Sequence, residues 1–202
     1  MNTWASDQQV PEALAAQDIF THMEGIKFVA EAYRRGGWPA VDALYSHPPV
    51  STQQIMNPQL YFDHKAPVKI QLAGYEKVLP AAAVIHTDTF GELLLQVILQ
   101  RNLGEYRSQS SLAQRWAGDR MAILRQGDAI TVIWMIVFSD PSSAQQFAAY
   151  YASILDRLHG AATPHLVNYR NNAVLCVAGD GLRQHPELPT EVWKQTSIAP
   201  GA

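Results

Sequence analysis

Seven histidines, one cysteine and a sparse set of carboxylates are the side chains with which this chain could hold a metal, move a proton or attack a carbonyl. The histidines form no H-x-x-x-H or H-E-x-x-H spacing, and one cysteine makes no thiolate pair, so no zinc ligand set is legible. His22 and Glu24 stand about 200° apart around a helix, which is poor for sharing an ion. The serines lack a G-x-S-x-G elbow, and the glycines form neither G-x-x-x-x-G-K nor G-x-G-x-x-G. Cys176, inside the apolar run "NAVLCVAG", reads as a buried strand thiol, not a nucleophile. What remains is a set of ligand-binding candidates: Trp38, Tyr45 and Tyr61, which could line a pocket, with Glu92 in "TFGEL" and Asp119 and Arg120 in "WAGDR". Each also has a plainer role. The aromatics can fill a core, Glu92 can complete a helix cap with Thr89, and Asp119 and Arg120 can form an ion pair or turn at a strand start. No residue is assigned as catalytic or as a metal ligand, and no cofactor is expected.

These residues must be positioned by a chain of 202 residues that is 48% hydrophobic and 16% charged, with a net charge of -3. That is a folded composition with few charges. The largest basic cluster is Arg34-Arg35, which leaves no footprint for nucleic acid. The longest apolar run, "AITVIWMIVF", is too short to span a bilayer as a helix. The N-terminus carries no signal-peptide pattern, so the expectation is a cytoplasmic protein, or an exported one if a segment precedes it.

Apolar residues recur at helical spacing from Pro11 to Gly36-Gly37, where the helix should stop, and "WPAVDALY" should form a second short helix. Pro48-Pro49 bends the chain, Ser51 caps a turn with Gln54 three residues on, and Asn57-Pro58 ends it. A helix follows from Thr89, and Ser108–Gly118 reads as a further polar helix. The remainder reads β-β-α-β-β. Gly127-Asp128 and Asn171-Asn172 turn two hairpins, and Asp140, Pro141 and Gly160 bound the helix between them. "LPTEVWKQTS" reads as a last short helix. The expected fold is α+β: a mainly helical region, 1–104, and a sheet region, 105–202, sharing one core. The sheet should be antiparallel, with a helix packed on one face.

The run from Pro11 to Tyr61 resembles a group of uncharacterised bacterial and archaeal proteins with a zincin-like, metallopeptidase-like region. Their pattern is similar to F-P-Y-x-[DE]-G-x-x-F-V, then G-G-W-x-A-V-x-x-x-Y-x-x-P-P-x-S-T-E-Q-I-L-H-P-x-x-Y. Phe20, Glu24, Gly25, Phe28, Val29, the Gly36-Gly37-Trp38 triplet, Tyr45, Pro48-Pro49, Ser51-Thr52, Pro58 and Tyr61 match it. "TFGEL" and "WAGDR" also look like that family. The resemblance implies an H-E-x-x-H helix upstream of this segment, which this chain does not carry. Two polar positions depart from the pattern: Gln53 stands where it has Glu, and Asn57 where it has His.

The resemblance therefore implies a non-catalytic, zincin-associated domain, a pseudoenzyme acting as a binding or scaffold module. Two alternatives stay open. One is a fragment or subunit of a zinc metallopeptidase whose catalytic half is elsewhere. The other is a small-molecule binder or enzyme with a pocket under Trp38–Tyr61. If an upstream half is missing, the helix over 10–33 should expose an apolar stripe, covered by a protein partner or by self-association.

Overall fold

The computed structural model describes residues 11–103, 111–160 and 162–201. Helix α1, Glu12–Ser46, bends at Gly36 and Gly37, whose backbones leave helical geometry; Gly37 takes φ 63°. Glycine makes this bend at little steric cost. The second arm starts at Trp38 with Pro39 in its first turn, as the sequence predicts. Two short helices follow, α2 (Thr52–Met56) and α3 (Pro58–Phe62). The Ser51 hydroxyl accepts from Gln54 N, and the Gln54 side chain accepts from Val50 N. Phe28 on the inner face of α1 packs edge-on to Tyr61 at 5.2 Å and stacks with Phe62 at 6.3 Å, which fixes α1 to α3.

The next elements are β1 (Lys69–Gln71), α4 (Tyr75–Val78), β2 (Ala83–Asp88), α5 (Gly91–Leu103), β3 (Trp116–Gln126) and β4 (Ala129–Phe138). After them come α6 (Pro141–His159), β5 (His165–Arg170), β6 (Ala173–Gly179), α7 (Asp180–Gln184), α8 (Leu188–Gln195) and β7 (Ser197–Ala199). Five strands form an antiparallel sheet in the order β2-β3-β4-β6-β5, and β1 pairs with β7 in a separate two-stranded sheet. Both hairpins turn where the sequence places them. Asp140 caps α6 by accepting from Ser143 N at 2.8 Å, and Gly160 closes it.

The alternation of β4 sends Trp134, Ile136 and Phe138 to one face and Ile133, Met135 and Val137 to the other, and all six are buried. The first face packs under α5 and α6 around Leu95, Leu99 and Phe147. The second packs under α4, α7, α8 and the β1 segment around Leu79, Leu188 and Val192. The helix expected on one face is present, and the other face is covered too. Both cores draw on residues from both parts of the chain.

The polar helix expected over Ser108–Gly118 is corrected at its C-terminal end: Trp116–Gly118 belong to β3, where Trp116 pairs with Phe138. Residues 104–110, with the start of that helix and the boundary expected there, lie outside the described residues.

Candidate functional site

The most polar part of the interior gathers where α5 begins. Asp119 is 5% exposed and faces the first core from β3. Its Oδ1 accepts from Gly91 N and Trp116 Nε1, and its Oδ2 from Phe90 N and Trp134 Nε1, all at 2.9 Å. A bulge between Trp116 and Gly118 shifts the register of β3 and turns the Trp116 indole toward the carboxylate. Trp134 reaches it from the neighbouring strand, where it sits opposite Met121, two residues on.

The sheet thereby caps α5. The Thr89 hydroxyl, expected to cap this helix, instead donates to the Asp119 carbonyl at 3.2 Å. Leu93 N, another first-turn donor, finds Thr52 Oγ1 of α2 at 3.3 Å. Gly91 stands between these partners with φ 72°, and a Cβ there would lie 2.6 Å from Thr52 Oγ1. Gly91→Ala is therefore expected to cost about 1–3 kcal/mol through left-handed strain and the contact with Thr52. A urea titration of the variant would show this as a lower midpoint at unchanged slope.

In the first turn of α5, Glu92 is 1% exposed. Its Oε2 accepts from Asn57 Nδ2 at 3.0 Å, and its Oε1 has no hydrogen-bond partner. Burial lifts its carboxyl from 4.5 to about 7, while the neighbouring amides of Asn57 and Gln53 pull the other way. The Gln53 amide also donates to the Trp116 carbonyl, tying α2 to β3. Glu92 is thus no capping-box residue. It is a protonatable group in a pocket of amides, in the range where general acids and bases work. A single carboxyl beside two carboxamides has no second titrating group to work against. Among the described residues, no three His, Cys, Asp or Glu side chains gather as a metal ligand set.

The model of a family described as a domain of unknown function, DUF8575, matches residues 79–184, just over half of the chain. The chain belongs to this family. No curated protein and no solved structure matches it. The DUF8575 segment contains the whole five-stranded sheet, Asp119 with its two tryptophans, and Glu92. Thr52, Gln53 and Asn57, which complete the polar cluster, lie ahead of that segment.

The remaining candidates scatter. Trp38 is 67% exposed and meets Tyr33 edge-on at 5.2 Å on the outer side of α1. Tyr45 is 87% exposed. Neither fills a core. Tyr61 packs on Phe28, and its hydroxyl donates to the His47 carbonyl. The pocket expected under Trp38–Tyr61 is not assembled by these three side chains. Within the DUF8575 segment, Arg120 is adjacent to Asp119 in sequence but makes no ion pair with it. Its guanidinium donates to Thr87 Oγ1 at 2.8 Å, on the border of a cleft.

Proposed function

We propose that this chain is a non-catalytic binding or scaffold module, the zincin-associated part of a metallopeptidase-like protein, and that α1 pairs with α1 of a second copy. The observation that carries this reading is the outer face of α1. Ile19, Met23, Ile26, Val29, Tyr33 and Trp38 form a continuous apolar stripe, each from two-fifths to two-thirds exposed. A groove of about 580 Å³ runs beside it at the bend, between Ile26, Tyr33 and Trp38. The Gly25 backbone opens the groove, with nothing within 4 Å of where its Cβ would stand. A helix with one face in the core and an apolar stripe opposite has a second partner to find.

A second copy fits by charge. Asp18 lies in the first half of the arm, residues 12–23, and Lys27, Arg34 and Arg35 outnumber Glu24 and Glu31 in the second. An antiparallel pair sets acidic halves against basic ones and opposes the helix dipoles. The arm of residues 12–35 is roughly 36 Å long, which places the interface toward the small end of stable sizes. The lone carboxyl among the amides at positions 53 and 57 supports the non-catalytic half of the reading.

Sedimentation velocity over a concentration series is expected to show a monomer–dimer equilibrium in roughly the micromolar range. Ile26→Ser with Met23→Ser should abolish it, and added salt should weaken it. A wild-type chain that stays monomeric to about 100 μM, well above that range, would overturn the self-pairing.

A further inference from the structure

We infer that the cleft between β1 and the start of β3 is a binding site for a small organic anion with an apolar body, its carboxylate held by Arg120 and Lys69. The fork begins at Val68, whose N–H donates to the Ala117 carbonyl at 2.8 Å. There the two segments touch so closely that a Cβ on Gly118 would lie 2.6 Å from Val68 Cγ2. Past this point they part. β1 turns to pair with β7, and β2 joins β3 only from Met121 onward, where Asp88 is its partner. Neither β1 nor β2 pairs with the part of β3 ahead of Met121, and a cleft of about 840 Å³ opens there. That volume lies within the range of pockets that take a whole small molecule.

The lining suits such a ligand. Val68, Ile70, Phe90 and Met121 give apolar walls, and Arg120 and Lys69 border them. Neither cation has a carboxylate partner among the described residues. The one acid in the lining, Asp119, already has four N–H donors turned on its oxygens. Thr87 fixes the Arg120 guanidinium through one nitrogen and leaves the rest of its donor fork for a carboxylate. A half-buried arginine held in place without a counter-ion beside an apolar cleft recognises an anion more readily than a neutral solute. This site is separate from the α1 stripe and does not depend on the pairing proposed for it.

The probe is 8-anilinonaphthalene-1-sulfonate, whose fluorescence rises in apolar surroundings, with decanoate and decanol as competitors. Saturable binding at one site per chain is expected, displaced by decanoate and about tenfold less well by decanol, the same body without the charge. Arg120→Gln should weaken probe and decanoate by about tenfold. Lys69→Gln, on an exposed side chain of β1, should weaken them by roughly twofold to threefold. Ile26→Ser on α1 should leave both unchanged. Equal displacement by decanoate and decanol would show that no cation holds the carboxylate, and binding lost in Ile26→Ser but kept in Arg120→Gln and Lys69→Gln would place the probe on α1; either result overturns the inference. If Arg120→Gln does not fold, Lys69→Gln and the competitor ratio decide it.

Discussion

Asp119→Ala is expected to be the most damaging single substitution in the chain, removing about 4 kcal/mol of stability or more. The carboxylate is the shared acceptor of four donors, three of them buried and the Phe90 N–H half-buried: two from the backbone at the start of α5 and two from tryptophan indoles. Each buried N–H left without an acceptor costs about 1–3 kcal/mol, and alanine strands three of them, with the half-buried Phe90 N–H, at once. The two indoles have little solvent to turn to, because Trp116 and Trp134 are each 2% exposed. A domain of this size shifts its melting temperature by roughly 2–4 °C per kcal/mol, so a fall of about 10 °C or more should be measured. Asp119→Asn should fall between, since one amide oxygen keeps two donors while its NH₂ turns toward the other two. The intrinsic fluorescence of both variants should change as the indoles lose their acceptor. An Asp119→Ala variant within 1 kcal/mol of wild type would mean that the node does not organise the first core.

Much of the fold is legible because its signals are local. Gly127-Asp128 and Asn171-Asn172 need only their own backbone to turn a hairpin, and Asp140, Pro141 and Gly160 bound α6 within its own sequence. Gly36-Gly37 breaks α1 for the same reason. What misleads depends on distant partners. "TFGE" has the spacing of a capping box, yet α5 takes its cap from Asp119, 28 residues away, and from Thr52 on α2. A carboxylate with four preformed donors outcompetes a local threonine. The pairing of β1 with β7 joins residues more than a hundred positions apart, and no periodicity announces it.

The candidate site divides along the same line. Asp119 and Glu92 are identifiable as unusual because carboxylates are few near apolar patterning. Two buried tryptophans that flank an acid in paired strands also demand an acceptor, and Asp119 is the acid at hand. Trp38 and Tyr45 mislead in the opposite direction. Large aromatics in a patterned segment suggest a pocket or a core, but both stand on the surface beyond the bend at Gly36-Gly37. Gln53 and Asn57 announce nothing by local spacing, yet both amides stand beside the buried carboxyl of Glu92.

Glu92→Gln is expected to gain stability on wild type as pH rises from about 4.5 to about 7, and to keep that gain above it. The folded carboxyl holds its proton to about 7, against an ordinary value of 4.5, because burial disfavours the anion. Below 4.5 the group is protonated in folded and unfolded chains alike and contributes nothing to the pH dependence. Between the two values the folded chain binds the proton and the unfolded chain does not, so stability falls as pH rises, by up to about 1.4 kcal/mol per unit. Above 7 the loss is complete, at about 3 kcal/mol. Glutamine is neutral throughout, keeps an oxygen for Asn57 Nδ2 and replaces the unpartnered Oε1. Denaturation curves at pH 4 should therefore differ only by what the new amide N–H₂ loses for want of an acceptor, and from pH 4 to pH 8 the variant should gain about 3 kcal/mol on wild type. Comparing the variant with wild type at each pH cancels the titration of every other group. A difference that stays constant from pH 4 to 8 would mean that Glu92 titrates as an ordinary carboxyl. If the difference opens as expected, wild type ionises a buried group at the α2–α5 seam near neutral pH. Because α2 and α5 both pack on α1, that ionisation then weakens a support of the helix proposed to bind.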